Sequence, residues 1–276
     1  MIVNKYIINS KIGKGQFGQI YKGKYKKTNE DIAIKFELVD SEIKLLKHET
    51  TILNYLFHKG SRNTPHVYWY GIYKKYYGLI MPYYDCTLDD YLLQNHLSKN
   101  DIVKLTSKMI TILETIHNMG VIHRDLKPQN FMMKDHEIFL IDFGLSTIFV
   151  DEDLKHIEPK NESTFIIGTP KFISLHIHNG KDASRRDDII SLMYLYLFMI
   201  NGLSLPWENV EDRDDEYTPH HILHFKNQER KRKKEQLQES IYENTIEKKV
   251  FDYIYSIEYK EPPLYQWLIE TLNESE

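Results

Sequence analysis

The sequence predicts an α+β fold in two parts: a β-rich first part with one main helix, then a mostly helical second part. Between Tyr6 and Met81 most of the regular pattern alternates apolar and polar residues at the strand period. The exception is Lys44–Phe57, whose Leu45, Leu46, Ile52, Leu53 and Leu56 gather on one side of a helix. Beyond Pro82-Tyr83-Tyr84-Asp85 the apolar period becomes helical. The expected division is therefore 1–81, a connector at 82–86, and 87–276.

Tyr6–Ile12 and Gly18–Tyr25 flank a glycine-rich turn as a hairpin, and Asp31–Glu37 alternates as a third strand. His66–Tyr73 and Tyr77–Met81 resemble two more strands. Pro82 marks the connector because proline has no N–H to give to a central ladder. Leu88–Gln94 reads as a short helix, and Ser98-Lys99-Asn100-Asp101 has the pattern of a capping box. The long helix it opens carries Ile102, Leu105, Met109, Ile112, Leu113 and Ile116 on one face and ends at Gly120. A strand at Glu137–Ile141 follows, then a loop-rich stretch from Asp142 to about Ser174.

Ile189–Trp207 carries no charge, but Ser191, Asn201, Gly202, Ser204 and Pro206 interrupt it. Its continuous apolar run, Leu192–Ile200, is too short for a bilayer and reads as a buried helix. Glu211–Lys234 is the least core-like region, acidic at Glu211–Glu216 and basic at Lys231-Arg232-Lys233-Lys234. It reads as an exposed insertion plus a solvated charged helix, in preference to a nuclear-import or docking patch.

Composition sets outer bounds. The 36 Lys and Arg against 40 Asp and Glu give a net charge of −4, so no global field calls for nucleic acid or an anionic membrane. The single Cys86 excludes an intramolecular disulfide framework and fits a reducing compartment. Met1–Lys5 lacks the charged and apolar regions of a secretory leader. A cytoplasmic or nuclear monomer without direct nucleic-acid or membrane contact is expected.

The chemistry concentrates in His123-Arg124-Asp125-Leu126-Lys127-Pro128-Gln129-Asn130, followed twelve residues past Asn130 by Asp142-Phe143-Gly144. This run holds a carboxylate base, a lysine, an amide and a second carboxylate, the set that phosphoryl transfer from a nucleotide requires. Asp125 fits the group that orients the attacking hydroxyl, Lys127 one that reaches the γ-phosphate, and Asn130 and Asp142 the oxygen ligands of Mg2+. Upstream, Gly13-Lys14-Gly15-Gln16-Phe17-Gly18 sits between two strand patterns and opens no helix, which argues against a dinucleotide site. Gly13, Gly15 and Gly18 supply backbone that can close over phosphates, and Ile12 and Ile20 would sit against adenine. Lys35 on its apolar strand needs a counter-charge, and Glu49 on the following helix is preferred over Glu42. His123 reads as a packing residue beneath the loop.

With those residues in hand, the chain resembles eukaryotic-type protein kinases, and within them the casein kinase 1 family. The narrower likeness rests on Lys11–Tyr21, on His123–Met132, on Gly168-Thr169-Pro170-Lys171-Phe172-Ile173-Ser174, and on Ser184-Arg185-Arg186-Asp187-Asp188 with Ser191-Leu192 and Leu205-Pro206-Trp207. The resemblance implies a bilobal fold with ATP in the cleft and Ser/Thr transfer to protein substrates without obligatory activation-loop phosphorylation. It implies Met81 as gatekeeper, a backbone contact to adenine at Tyr84, and Asp188 as an anchor for the catalytic loop. It also implies a preference for acidic or phosphorylated residues before the target hydroxyl, which Lys171 would serve and the Lys231–Lys234 run would approach. A pseudokinase scaffold and a small-molecule kinase stay open, the first requiring loss of Lys35, Asp125 or Asp142, none of which is lost.

Overall fold

The computed structural model describes residues 2–3, 5–15, 18–42, 44–160, 166–208, 220–240 and 245–274. It contains two compact units, Met1–Leu88 with Gln129–Ser146, and Asp89–Pro128 with Thr147–Glu276. The acidic run Glu211–Glu216, and Gln16 and Phe17 of the glycine turn, lie outside the described residues.

The first unit is built on β1 (Ile2–Val3), β2 (Tyr6–Gly15), β3 (Gly18–Tyr25), β4 (Asp31–Leu38), β5 (Trp69–Tyr73) and β6 (Tyr76–Pro82). They form one antiparallel sheet in the order β1-β2-β3-β4-β6-β5. Successive strand residues point to opposite faces, so β4 sends Ile32, Ile34 and Phe36 into a core with Tyr6, Ile8 and Ile80. Its other face carries Ala33 and Lys35. The register sets Ile20 opposite Lys35 and Met81 opposite Ala33, so all four share that face. Pro82 is the last residue of β6, at its ladder's end, where a missing N–H costs least. The strand expected from His66 begins only at Trp69, because His66 stacks its ring on Phe57 at 4.0 Å instead of joining the ladder.

Helix α1 (Leu45–Lys59) connects β4 to β5 and buries Leu46, Glu49, Ile52, Leu53 and Leu56. The residue before it, Lys44, offers no capping side chain. The carboxylate of Glu37 on β4 does so instead, accepting from the Leu45 and Leu46 N–H groups at 3.0 and 3.2 Å. Two otherwise orphaned donors are thereby satisfied.

After β7 (Cys86–Thr87) the chain leaves this unit and returns to it with β9 (Phe131–Lys134) and β10 (Glu137–Leu140). These form a three-stranded sheet in the order β10-β9-β7. A Leu140 N–H bond to the Asn63 carbonyl, 2.9 Å, also ties the hairpin to the unit.

The second unit is helical: α2 (Leu88–Gln94), α3 (Lys99–Asn118), α4 (Leu175–His178), α5 (Arg185–Ile200), α6 (His220–Ser240), α7 (Ile246–Ser256) and α8 (Tyr265–Asn273). A two-stranded ribbon of β8 (Val121–Ile122) and β11 (Thr147–Ile148) joins them. Ser98 and Asp101 form the expected capping box of α3. Helix α5 is buried from Arg186 to Met199 and packs on α3 and α7, which explains the uncharged run that follows Asp188. No helix among the described residues is long and apolar enough to cross a membrane.

Helix α6 departs from the solvated helix expected of its charge. Arg230 and Lys234 are buried, the latter completely. The rest of the basic run behaves as a charged surface, Lys231 and Lys233 lying 4.0 and 3.3 Å from Glu235 and Glu229. Periodicity alone hid this, since a lysine scores as polar wherever its amine ends.

Candidate active site

In the first unit, Ile12, Gly13, Ile20, Lys35, Glu49, Met81, Tyr84 and Asp142 line one cavity of about 290 Å³. Ala33, Met132 and Ile141, which the sequence did not single out, complete its apolar wall. Gly15 and Gly18 face each other across the ends of β2 and β3 outside that lining. A Cβ on Gly18 would stand 1.9 Å from the Phe36 carbonyl oxygen, so only glycine lets β3 lie this close to β4. Met81 lies on the floor of the sheet, and Tyr84 buries its ring against Phe139 at 4.8 Å.

Lys35 reaches two carboxylates at once, Glu49 Oε2 at 2.8 Å and Asp142 Oδ1 at 2.9 Å. Burial by itself would lower the lysine's pKa, but Glu49 and Asp142 outweigh it and raise the value above the ordinary one. Glu49 is only 2 % exposed, and burial pushes its own pKa up against the pull of Lys35. The short contacts of one lysine to two carboxylates favour the charged arrangement. Glu42, the weaker alternative, is exposed.

The β9–β10 hairpin organises Asn130 and Asp142. Asn130 closes a short 3-10 turn (Pro128–Asn130) before β9, and its carbonyl accepts from Ile141 N–H at 2.9 Å. That bond fixes the backbone beside Asp142, whose φ of 63° is uncommon for a residue other than glycine. Such conformations persist where the surroundings over-determine them, often at functional sites. His48 on α1 lies 2.8 Å from the Ser146 carbonyl through Nε2, anchoring the far end of the Asp142–Ser146 segment.

The second unit presents Asp125 and Lys127. Asp125 is 7 % exposed and both its oxygens are engaged. Lys127 Nζ donates to Oδ2 at 2.7 Å, and the Thr169 hydroxyl donates to Oδ1 at 2.6 Å. Lys127 also reaches Thr169 Oγ1 at 3.3 Å. Thr169 had no role from the sequence, since a hydroxyl forty-four positions away carries no local signal. Gly168 beside it has φ 103°, and a Cβ there would stand 2.4 Å from the Arg124 carbonyl oxygen.

The loop before Asp125 hangs on Asp188. Its carboxylate accepts from His123 N–H at 2.7 Å and Arg124 N–H at 2.9 Å. Burial would raise the pKa of Asp188, but the His117 ring and the His123 amide more than compensate and hold it below the usual carboxylate range. Burial keeps His117 neutral at physiological pH. Its Nε2–H then donates to Asp188 at 3.0 Å, leaving Nδ1 to accept from the Tyr265 hydroxyl at 2.7 Å. His123 is fully buried, as its packing role requires.

Lys171 is already matched with Glu208 and lies over the Phe198 ring at 4.1 Å. Lys231, Lys233 and Lys234 are also engaged within the chain, while Arg232 between them is exposed.

The first unit thus holds an amine shared between two carboxylates, and the second an aspartate engaged by a lysine and a hydroxyl. The family model of the protein kinase domain matches residues 6–261, and the chain therefore belongs to the protein kinase family.

Proposed function

We propose that the chain is an active Ser/Thr protein kinase of casein kinase 1 type that uses ATP and Mg2+. The observation that carries the reading is Lys35 bonded to both Glu49 and Asp142. A scaffold that had lost catalysis would have no reason to keep a half-buried lysine between two carboxylates, an arrangement costly to desolvate.

The residues fit the cofactors on their chemistry. The cavity pairs apolar walls suited to adenine with a lysine at its charged end. Among the described residues no three His, Cys, Asp or Glu side chains cluster as a metal cage. Mg2+ is usually held by one or two carboxylates with phosphates and water, so Asp142 and the Asn130 amide would be its protein ligands. When bound, ATP supplies the transferable phosphoryl group and Mg2+ offsets its charge.

The chain's own residues do the rest. Asp125, oriented by Lys127 and Thr169, would receive the substrate hydroxyl and accept its proton as transfer proceeds. Lys127 stands beside that carboxylate, as expected of a Ser/Thr kinase. The segments Gly168–Ser174 and Ser184–Asp188 support the casein kinase 1 likeness. With Lys171 already matched by Glu208, any preference for acidic or phosphorylated substrates is weak.

Asp142→Asn should lower transfer to a Ser/Thr peptide library by at least about 100-fold while the thermal melt stays near that of the parent, because it removes a charge from the metal shell. Near-normal turnover in the folded variant, or ATP binding without transfer by the parent chain, would sink the assignment.

A further inference from the structure

The segment beginning at Thr169 has an unusual support. Lys234, the last residue of the basic run of α6, is 0 % exposed and donates to the carbonyls of Pro170 at 2.9 Å and Ile173 at 2.7 Å. Its amine also lies 3.1 Å from His178 Nε2, and 5.0 and 5.3 Å from the ring centroids of Tyr194 and Trp207. Between the two carbonyls that Lys234 holds, the Lys171 carbonyl accepts from Trp207 Nε1–H at 2.8 Å. Three of the four carbonyls in Pro170–Ile173 thus receive side-chain donors from outside the segment.

The remaining bonds turn the segment back on Thr169. Phe172 and Ile173 N–H groups both donate to the Thr169 carbonyl, at 2.9 and 3.1 Å. Thr169 in turn gives its hydroxyl to Asp125. A continuous path therefore runs from the Lys234 amine through the Pro170–Ile173 backbone to the carboxylate assigned to the substrate hydroxyl.

We infer that Lys234 and Trp207 are positioning residues for the peptide substrate, fixing the Thr169–Ile173 wall in its working form without a phosphate on the chain. Burial and the nearby Arg230 hold the Lys234 pKa well below the ordinary lysine value. An amine has two N–H groups even when neutral, so both carbonyl bonds survive either protonation state. Lysine suits this position because its stem lies along apolar rings while its head caps backbone oxygens. The basic character of α6 thus has an inward structural use that a reading of it as a docking patch would miss.

This rests on the chain being an active kinase, and the two ideas can fail separately. The probe is the best peptide that the parent chain selects from a Ser/Thr library, with Mg-ATP. Lys234→Met keeps the stem and removes the donors. Trp207→Phe keeps a ring and removes only the indole N–H, and serves if the first variant does not fold. For Lys234→Met, kcat/KM for the peptide should fall about 10- to 100-fold, chiefly through KM, since buried carbonyls lose their donors. Trp207→Phe should show a smaller loss of the same kind, and nucleotide affinity should hold in both. Unchanged peptide KM in folded Lys234→Met, or in Trp207→Phe where the former is unfolded, overturns the inference. A loss of nucleotide affinity matching the loss of peptide turnover does so too, since it marks general damage. A parent chain that transfers no phosphate overturns the kinase reading instead.

Discussion

Asp125 holds a cation and a hydroxyl on its two oxygens, and this restricts what it can do. A carboxylate so gripped on both oxygens is held in one orientation. Asp125→Asn keeps the shape and removes the basic oxygen, so kcat should fall by about 10²–10⁴ with nucleotide affinity nearly unchanged. Stopped-flow nucleotide binding beside steady-state kinetics would check this; weakened binding at unchanged kcat would assign Asp125 another role. Asp125, Lys127, Asn130 and Asp142 were legible in the sequence because they sit within one short stretch at fixed spacing. Thr169 and Tyr265 were not, because their partners Asp125 and His117 are chosen by packing and leave no periodic trace.

At the scale of elements, β4 grips α1 twice. Lys35 takes hold of Glu49 one turn inside the helix, and Glu37, two residues on, caps its first amides. Strand and helix were both readable from their periods, but the cap was not, because a capping side chain is normally sought just before the helix. Lys44 stands there and does nothing of the kind. Glu37→Ala should cost about 1–2 kcal/mol and speed amide exchange across the first turn of α1, with Glu37→Gln milder. Unaltered exchange at Leu45 and Leu46 would show that the cap is ornamental. Helix α6 taught a related lesson. Its charge suggested solvent throughout, whereas one lysine per several turns can face inward when backbone oxygens receive it.

Across the whole molecule, two half-buried histidines, His176 and His178, shape the response to acid. Burial and neighbouring cations push His176 down to about 4 and His178 down to about 3 from an ordinary 6.5. Below pH 6.5 the unfolded chain takes up protons that these folded residues refuse, so stability falls as pH falls toward those values. Asp187 works the other way: burial raises it to about 6, so the folded state gains a proton as pH drops through that value. The two histidines outweigh Asp187, and for these three groups moving from pH 7 to 5 should cost about 2 kcal/mol net, or about 5 °C in Tm. Calorimetry at both pH values tests this, and a His176→Gln/His178→Gln pair should flatten the dependence; a melt that rises on acidification would reverse the sign. The division into a β-rich and a helical part was legible from the change of period near Pro82. The return of β9 and β10 to the first unit was not, because no local pattern records which distant strand a short hairpin will join. That return affects how the molecule is made. Residues 89–128 separate the two pieces of the first unit, and at about 5–20 residues per second a ribosome takes roughly 2–8 seconds to add them. During that interval the strand Cys86–Thr87 has no β9 to join and waits with its edge open, and Asn130 and Asp142 arrive only with the hairpin that closes it.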